Sequence, residues 1–318
     1  MNNPLVSVII PNYNHAKFLD ERIQSVLNQT YQNFELIILD DKSTDNSVEV
    51  INQYKDNPHV SHIVVNEENS GSTFKQWHKG FELAKGEVIW IAESDDSCDT
   101  TMLETLVRGY VEHDAVLAFC RSCKYDIEGK KSIYTPQNFL SGDMAMPGWE
   151  FISNYLVPKN AVANASSAVF SRSIAMSLDK QYISMRAEGD WLFWIELMEH
   201  GNVCFYDKAM NYFRFHHMNT TSILSQEGIG DIEHKKIVDY LLKGNHISYK
   251  RYKEEIIHYV SYILHYRDFE AKSVKRKVLQ VWDRYKYYRT YIYLGSLKDE
   301  ILLYLKNTGS TKNSLYGE

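Results

Sequence analysis

Along the first 113 residues, short unbroken apolar runs alternate with segments whose apolar residues recur every three or four positions. Leu5–Ile10, Phe34–Leu39, Val60–Val65 and Glu87–Ala92 are rich in β-branched residues and predict four buried strands. Phe18–Gln29 carries Phe18, Leu19, Ile23, Val26 and Leu27 at helical spacing. Ser43–Tyr54, Phe74–Ala84 and Thr100–His113 predict three further helices, with Ser43, Thr44 or Asp45 suited to cap the first of them and Gly86 to close the second. Strands alternating with helices predict an α/β fold: a parallel sheet with helices on both faces. Such sheets bind ligands beyond the carboxyl ends of their strands. Pro11–Asn14, Asp40-Asp41 and Glu93–Asp96 all fall at those ends, so the sheet would gather at one rim what the chain keeps apart.

After about residue 114 the alternation stops. Ala115–Tyr125 reads as a strand, followed by a turn at Glu128-Gly129-Lys130. Residues 135–160 are irregular, with Pro136, Pro147 and Pro158. Ala165–Phe170 is a short strand, Asp190–His200 an amphipathic helix, and Val203–Phe215 mostly extended. From Gly230 to Lys306 the pattern is helical.

Composition narrows the class. At 318 residues the chain is long enough for one large domain or two smaller ones. A net charge of -6 argues against nucleic acid as the main partner. Cys120 and Cys123 form a lone C-x-x-C, and with only Cys98 and Cys204 besides, these read as plain thiols of a reducing compartment rather than a zinc site. No signal-peptide pattern opens the sequence, and no run approaches the ~18 apolar residues a membrane span needs. A cytoplasmic protein is expected, free or held peripherally at the inner membrane face.

The acidic clusters carry the chemistry. Glu93-Ser94-Asp95-Asp96 crowds carboxylates onto one turn, and a hard divalent cation such as Mg²⁺ or Mn²⁺ relieves their repulsion. Taken alone, the cluster reads equally well as an acidic cap of the next helix. Asp41, at another strand end, reads as a hydrogen-bond acceptor for a base N–H or as a cap of the following helix, and taken alone the cap is favoured.

The order of the motifs separates the readings. Ser7–Asn14 (SVIIPNYN), Leu39–Ser47 (LDDKSTDNS), Asn69–Gly71, and Ala84-Lys85-Gly86-Glu87 followed by Glu93–Asp96 together resemble the family-2 glycosyltransferases of GT-A fold, over residues 5 to about 222. The resemblance implies a catalytic domain of residues 1–222 and a helical extension of 223–318. It implies an inverting enzyme that moves a sugar from a nucleotide-diphosphate sugar, UDP in particular, to a saccharide or lipid-linked acceptor. Asp41 would bind uracil, with Pro11 and Tyr13 along the nucleotide. Asp95 would approach the ribose or phosphate, and Asp96 would ligate Mn²⁺ or Mg²⁺. Glu93 stands where many members have Asp. Lys75 stands near the position of a family Arg that faces the diphosphate, and equally reads as a solvated helix lysine. Asn164–Phe170 and Arg172 resemble the segment lining the acceptor side. Asp190 matches the catalytic base, and Gly189 displaces Glu188 from the usual Glu-Asp pair; Asp190 also stands where a helix N-cap belongs. In Tyr212–Ser222, His216 fits a third metal or phosphate contact and Arg214 a phosphate partner.

In the implied mechanism Asp190 takes the acceptor's proton as its oxygen attacks the anomeric carbon, and a metal at Asp96 offsets charge on the leaving diphosphate. The extension holds seven Lys/Arg between Lys272 and Arg289 against Asp283 alone, with Val274, Val278, Val281, Trp282, Tyr285 and Tyr288 at helical spacing. Such a helix lies on an anionic membrane, or packs on the catalytic domain or a second subunit. Rival readings are a sugar-nucleotide nucleotidyltransferase, which the absence of a Gly-rich loop after the first strand opposes, and a non-catalytic binding protein with a decayed site, which the acidic set opposes. No G-x-G-x-x-G follows the first strand, which opposes a Rossmann dehydrogenase.

Overall fold

A computed structural model describes residues 3–125, 131–133, 140–157, 159–214, 224, 226–284 and 286–295. The chain forms two compact units, Met1–Ser222 and Ile223–Glu318.

In the first unit the expected alternation is present: β1 (Val6–Asn12), α1 (Ala16–Leu27), β2 (Phe34–Asp40), α2 (Ser47–Asn52), β3 (Val60–Val65), α3 (Thr73–Leu83) and β4 (Val88–Ile91). β3, β2, β1 and β4 pair in that spatial order, all parallel. Their near-continuous apolar sequences follow from burial on both faces. Val8, Ile10, Leu36 and Ile38 pack in one core with Leu19, Ile23 and Val26 of α1. The other face meets α3 so closely that a Cβ on Gly80 would lie 2.6 Å from Ile9 Cγ2.

The sheet then departs from the all-parallel expectation. After β5 (Ser97–Cys98) and α4 (Met102–Glu112) come β6 (Ala115–Tyr125), β7 (Lys131–Ile133) and β8 (Met144–Pro147). Next are α5 (Gly148–Phe151), β9 (Ala168–Ser171), α6 (Arg172–Ser177), α7 (Gly189–Met198) and β10 (Asn202–Arg214). β9 inserts antiparallel between β4 and β6. β10 runs parallel to β6 and antiparallel to β5 and β8. The sheet is therefore mixed. Hydrophobic runs mark burial but carry no direction, and strands as short as β5 and β8 leave no periodic signal.

The helix expected at Ser43–Tyr54 covers only Ser47–Asn52, because the polar residues ahead of it serve the loops instead. Ser43 Oγ donates to Asp40 Oδ2 (2.6 Å), and Asp45 accepts from the backbone N–H groups of both Ala16 and Ser47.

The second unit contains helices Ile229–Lys243, Tyr249–His265 and Lys272–Trp282, followed by a helix over 287–295. Trp282 stacks on Tyr259 at 4.0 Å and donates its indole N–H to the Asp231 carbonyl. Among the described residues no helix is long and apolar enough to cross a membrane.

Candidate active site

The rim is built from three loops with left-handed turn residues, Asn14 (φ 58°), Lys42 (φ 66°) and Gly71 (φ 69°). Asp40 ties the first loop to the second: its Oδ2 accepts from Asn12 Nδ2 (2.8 Å) and from Ser43 Oγ, which in turn accepts from Asn14 N–H. Asp41 ties the second to the third. Its Oδ1 accepts from Asn66 Nδ2 (2.6 Å), Ser70 N–H (2.9 Å) and Gln76 Nε2 (2.9 Å), and its Oδ2 from Ser70 Oγ (2.7 Å). Oδ1 is thus saturated, while Oδ2 retains acceptor capacity for one further donor. Tyr13 is 46% exposed, whereas Pro11 is buried inside β1. Lys75 is exposed on α3 and donates to the Ser70 carbonyl (3.0 Å), so it braces the Gly71 loop.

The carboxylate turn after β4 is wrapped around a buried cation. Arg22 of α1 is fully buried; its Nε donates to the Glu93 carbonyl (2.8 Å) and its Nη2 lies 3.9 Å from Asp96 Oδ2. The signal for Arg22 is in the sequence: it interrupts the apolar stripe Leu19, Ile23, Val26 of its helix, where a charge needs a buried partner. Asp96 is enclosed. Oδ2 accepts from Asn164 Nδ2 (2.9 Å) and Ser166 Oγ (2.7 Å), and Oδ1 from the Arg214 backbone N–H (3.1 Å). Burial and the charge of Asp95 push Asp96 up to about 6, against the pull of Arg22. Glu93 accepts from Trp77 Nε1 (2.9 Å); burial, then the Asp95 charge, push it up to about 8. Of the three, Asp96 is buried, whereas Glu93 and Asp95 are partly exposed.

These contacts change several expectations. Arg214, the expected phosphate partner, is held by protein groups. Its Nε donates to the Asp95 carbonyl (2.9 Å), its Nη2 pairs with Glu21 Oε2 (2.5 Å), and its guanidinium lies between Phe18 and Tyr125. Asn164 and Ser166, in the segment expected to line the acceptor side, hold Asp96 from within. Arg172 donates to the Phe81 carbonyl (3.0 Å), anchoring the start of α6. His216 lies outside the described residues, among which no three His, Cys, Asp or Glu side chains gather as a metal site. Asp96, the expected metal ligand, is buried among these donors, while Asp95 beside it is partly exposed; Mg²⁺ is commonly held by one or two carboxylates together with substrate phosphates and water.

At the acceptor side α7 begins one residue earlier than the Asp190 start expected. Glu188 occupies the N-cap position without a side-chain capping bond, and Asp190 is the second helical residue. Its Oδ2 accepts from Asn160 Nδ2 (2.9 Å), and the side chain is partly exposed. Gly189 is required by packing: a Cβ there would lie 2.7 Å from both the Tyr182 carbonyl and Phe74 Cε2. Trp77 joins the two halves of the rim, since its N–H holds Glu93 while its ring packs on Phe193 and Trp194 of α7. Gln76, Trp77 and Asn160 escaped the sequence reading because an amide or indole carries no motif of its own.

Residues 7–178, more than half of the chain, match the model of the family described as "Glycosyl transferase family 2". Glycosyltransferase GlyG of Streptococcus pneumoniae serotype 4 is 38% identical over 146 residues, 45% of this chain and 48% of that protein. The putative teichuronic acid biosynthesis glycosyltransferase TuaG of Bacillus subtilis is 28% identical over 201 residues, 62% of this chain and 73% of that one. The matches span about half the length of GlyG and of a Haemophilus influenzae glycosyltransferase. Among solved structures, S. aureus TarS 1-349 in complex with UDP-GlcNAc superposes with a TM-score of 0.58 at 18% identity, covering 88% of this chain and 72% of that one, a likeness of fold.

Proposed function

The chain belongs to glycosyl transferase family 2, and on that premise we propose that it transfers a sugar, with inversion, from a UDP-sugar to an acceptor hydroxyl in the assembly of a cell-surface glycan. Trp77 carries this reading. One side chain contacts both the carboxylate turn and the helix bearing Asp190, so the donor and base sides of a single displacement share a frame. The remaining acceptor capacity of Asp41 Oδ2 suits the imide N–H of uracil, with Tyr13 beside the base. The crystal structures of TarS with UDP-GlcNAc and with UDP support a uridine donor, and the teichuronic acid assignment of TuaG supports a polysaccharide acceptor, lipid-linked or free.

Asp95 would hold Mg²⁺ or Mn²⁺ together with the diphosphate, and the ion would offset the charge of the leaving group. Asp96 and Arg22 serve that site by holding the turn rigid, which spares reorganisation when the donor binds. Asp190 receives the acceptor proton as the acceptor oxygen bonds to the anomeric carbon and the sugar–phosphate bond breaks. Asn160 orients Asp190 through its Nδ2. Asp190→Asn is expected to lower kcat by ~10²–10⁴-fold, the usual worth of a general base, while UDP affinity stays unchanged. Undiminished turnover in that variant would remove Asp190 from the mechanism.

A further inference from the structure

Part of the apolar stripe that the sequence offers either to a membrane or to a protein surface is spent inside the protein. In Lys272–Trp282, Val278, Leu279 and Trp282 are buried, and Trp282 stacks on Tyr259. The next helix is different. Asp283, itself buried, ends the first helix and accepts from the backbone N–H groups of Tyr288 (3.2 Å) and Arg289 (2.9 Å), and from Arg289 Nε (3.1 Å). The start of the 287–295 helix is thereby fixed to a packed neighbour. Along it, Tyr287 (66% exposed), Tyr291 (58%) and Leu294 (60%) recur at spacings of four and three, one face of a helix, and Tyr293 is also exposed.

Charge identifies what covers this face. Residues 223–318 hold 17 Lys/Arg against 12 Asp/Glu, net +5, while residues 1–222 hold 18 against 29, net -11, which together give the -6 of the chain. The exposed cations Arg284 and Lys286 immediately precede the aromatic face, and the exposed Lys272, Arg276 and Lys277 lie on the helix before it. Amphipathic tyrosines with an apolar body and a polar tip, flanked by lysine and arginine, match the boundary between lipid headgroups and acyl chains. A basic segment with exposed cations gains from an anionic lipid surface.

We propose that the 287–295 helix seats the protein on an anionic lipid bilayer, with Tyr287, Tyr291 and Leu294 entering the headgroup region and Arg284 and Lys286 pairing with lipid phosphates. This goes beyond the glycosyl-transfer reading and does not depend on it. The surface also accounts for how a chain whose described helices include no membrane span would meet an acceptor carried on lipid.

The test is co-sedimentation of the full chain with vesicles of pure phosphatidylcholine and of equimolar phosphatidylcholine and phosphatidylglycerol. UDP titration and mass by light scattering are followed on the same samples. Binding to the anionic vesicles alone is expected, and it should be lost in Tyr287→Ser/Tyr291→Ser/Leu294→Ser with UDP affinity and mass unchanged. Arg284→Gln and Lys286→Gln should each lower partitioning about fivefold, the equivalent of about 1 kcal/mol per basic residue at such a surface. Three results would overturn the proposal: no sedimentation of folded protein, equal sedimentation with both vesicles, or a doubled mass that the triple substitution abolishes, which would assign the face to a second copy. Because UDP is titrated in parallel, failure of the lipid site is distinguishable from failure of the donor site.

Discussion

Three adjacent carboxylates of the same turn are held in three states, and the neighbours of each decide which. Asp96 is enclosed by Asn164, Ser166 and the Arg214 backbone, Glu93 is bound to the Trp77 indole, and Asp95 remains accessible. The sequence could not separate them, because a D-x-D-like string shows that carboxylates are adjacent and not which one faces inward. Arg22 was legible in principle as the charge in an apolar stripe; Asn160 and Trp77 were not. Two predictions belong here. Arg22→Met removes the cation nearest buried Asp96 and is expected to destabilise the fold by about 3–5 kcal/mol, the usual cost of breaking a buried pair. Adding Asp96→Asn should recover part of that loss, as denaturant melts of the single and double variants will read. Glu93, raised from 4.5 to about 8, holds its proton in the folded state where the unfolded chain has lost it. Its contribution is therefore complete below pH 4.5 and is lost as pH rises through about 8. Glu93→Gln, which stays neutral, should gain stability relative to wild type steadily across that window in metal-free buffer, and a constant difference at every pH would refute the shift.

At the scale of elements, the chain announced where strands and helices lie better than how they are joined. β3 and β6 occupy the residues their apolar runs marked, Val60–Val65 and Ala115–Tyr125. The antiparallel insertion of β9 was illegible because direction is set by the connections before and after a strand. The shortened α2 shows tertiary use overriding local preference: Ser43 and Asp45 could cap a helix, but in the folded chain they stitch the loops after β1 and β2 together. Gly189 shows the reverse, a departure from the family pattern that packing explains. Gly189→Ala would force its methyl against the Tyr182 carbonyl and Phe74. A loss of about 1–3 kcal/mol is expected from such overpacking, together with reduced turnover through displacement of Asp190. Unchanged stability by thermal melting would mean that the start of α7 is looser than its contacts imply.

At the scale of the whole molecule, the resemblance in the first unit supplies the family and the fold, while the uridine donor is a proposal argued from the rim. The claim that organises the rest is that Asp41 and Asp95 form the two ends of one uridine-diphosphate site. Isothermal titration of UDP, GDP and dTDP, each with and without Mn²⁺, against wild type, Asp95→Ala and Asp96→Asn tests it most directly. The account predicts that UDP binds preferentially, that its affinity depends on both Mn²⁺ and Asp95, and that Asp96→Asn lowers stability more than it removes metal dependence. No nucleotide binding by folded protein, or a metal dependence that survives Asp95→Ala and vanishes in a stable Asp96→Asn, would contradict it.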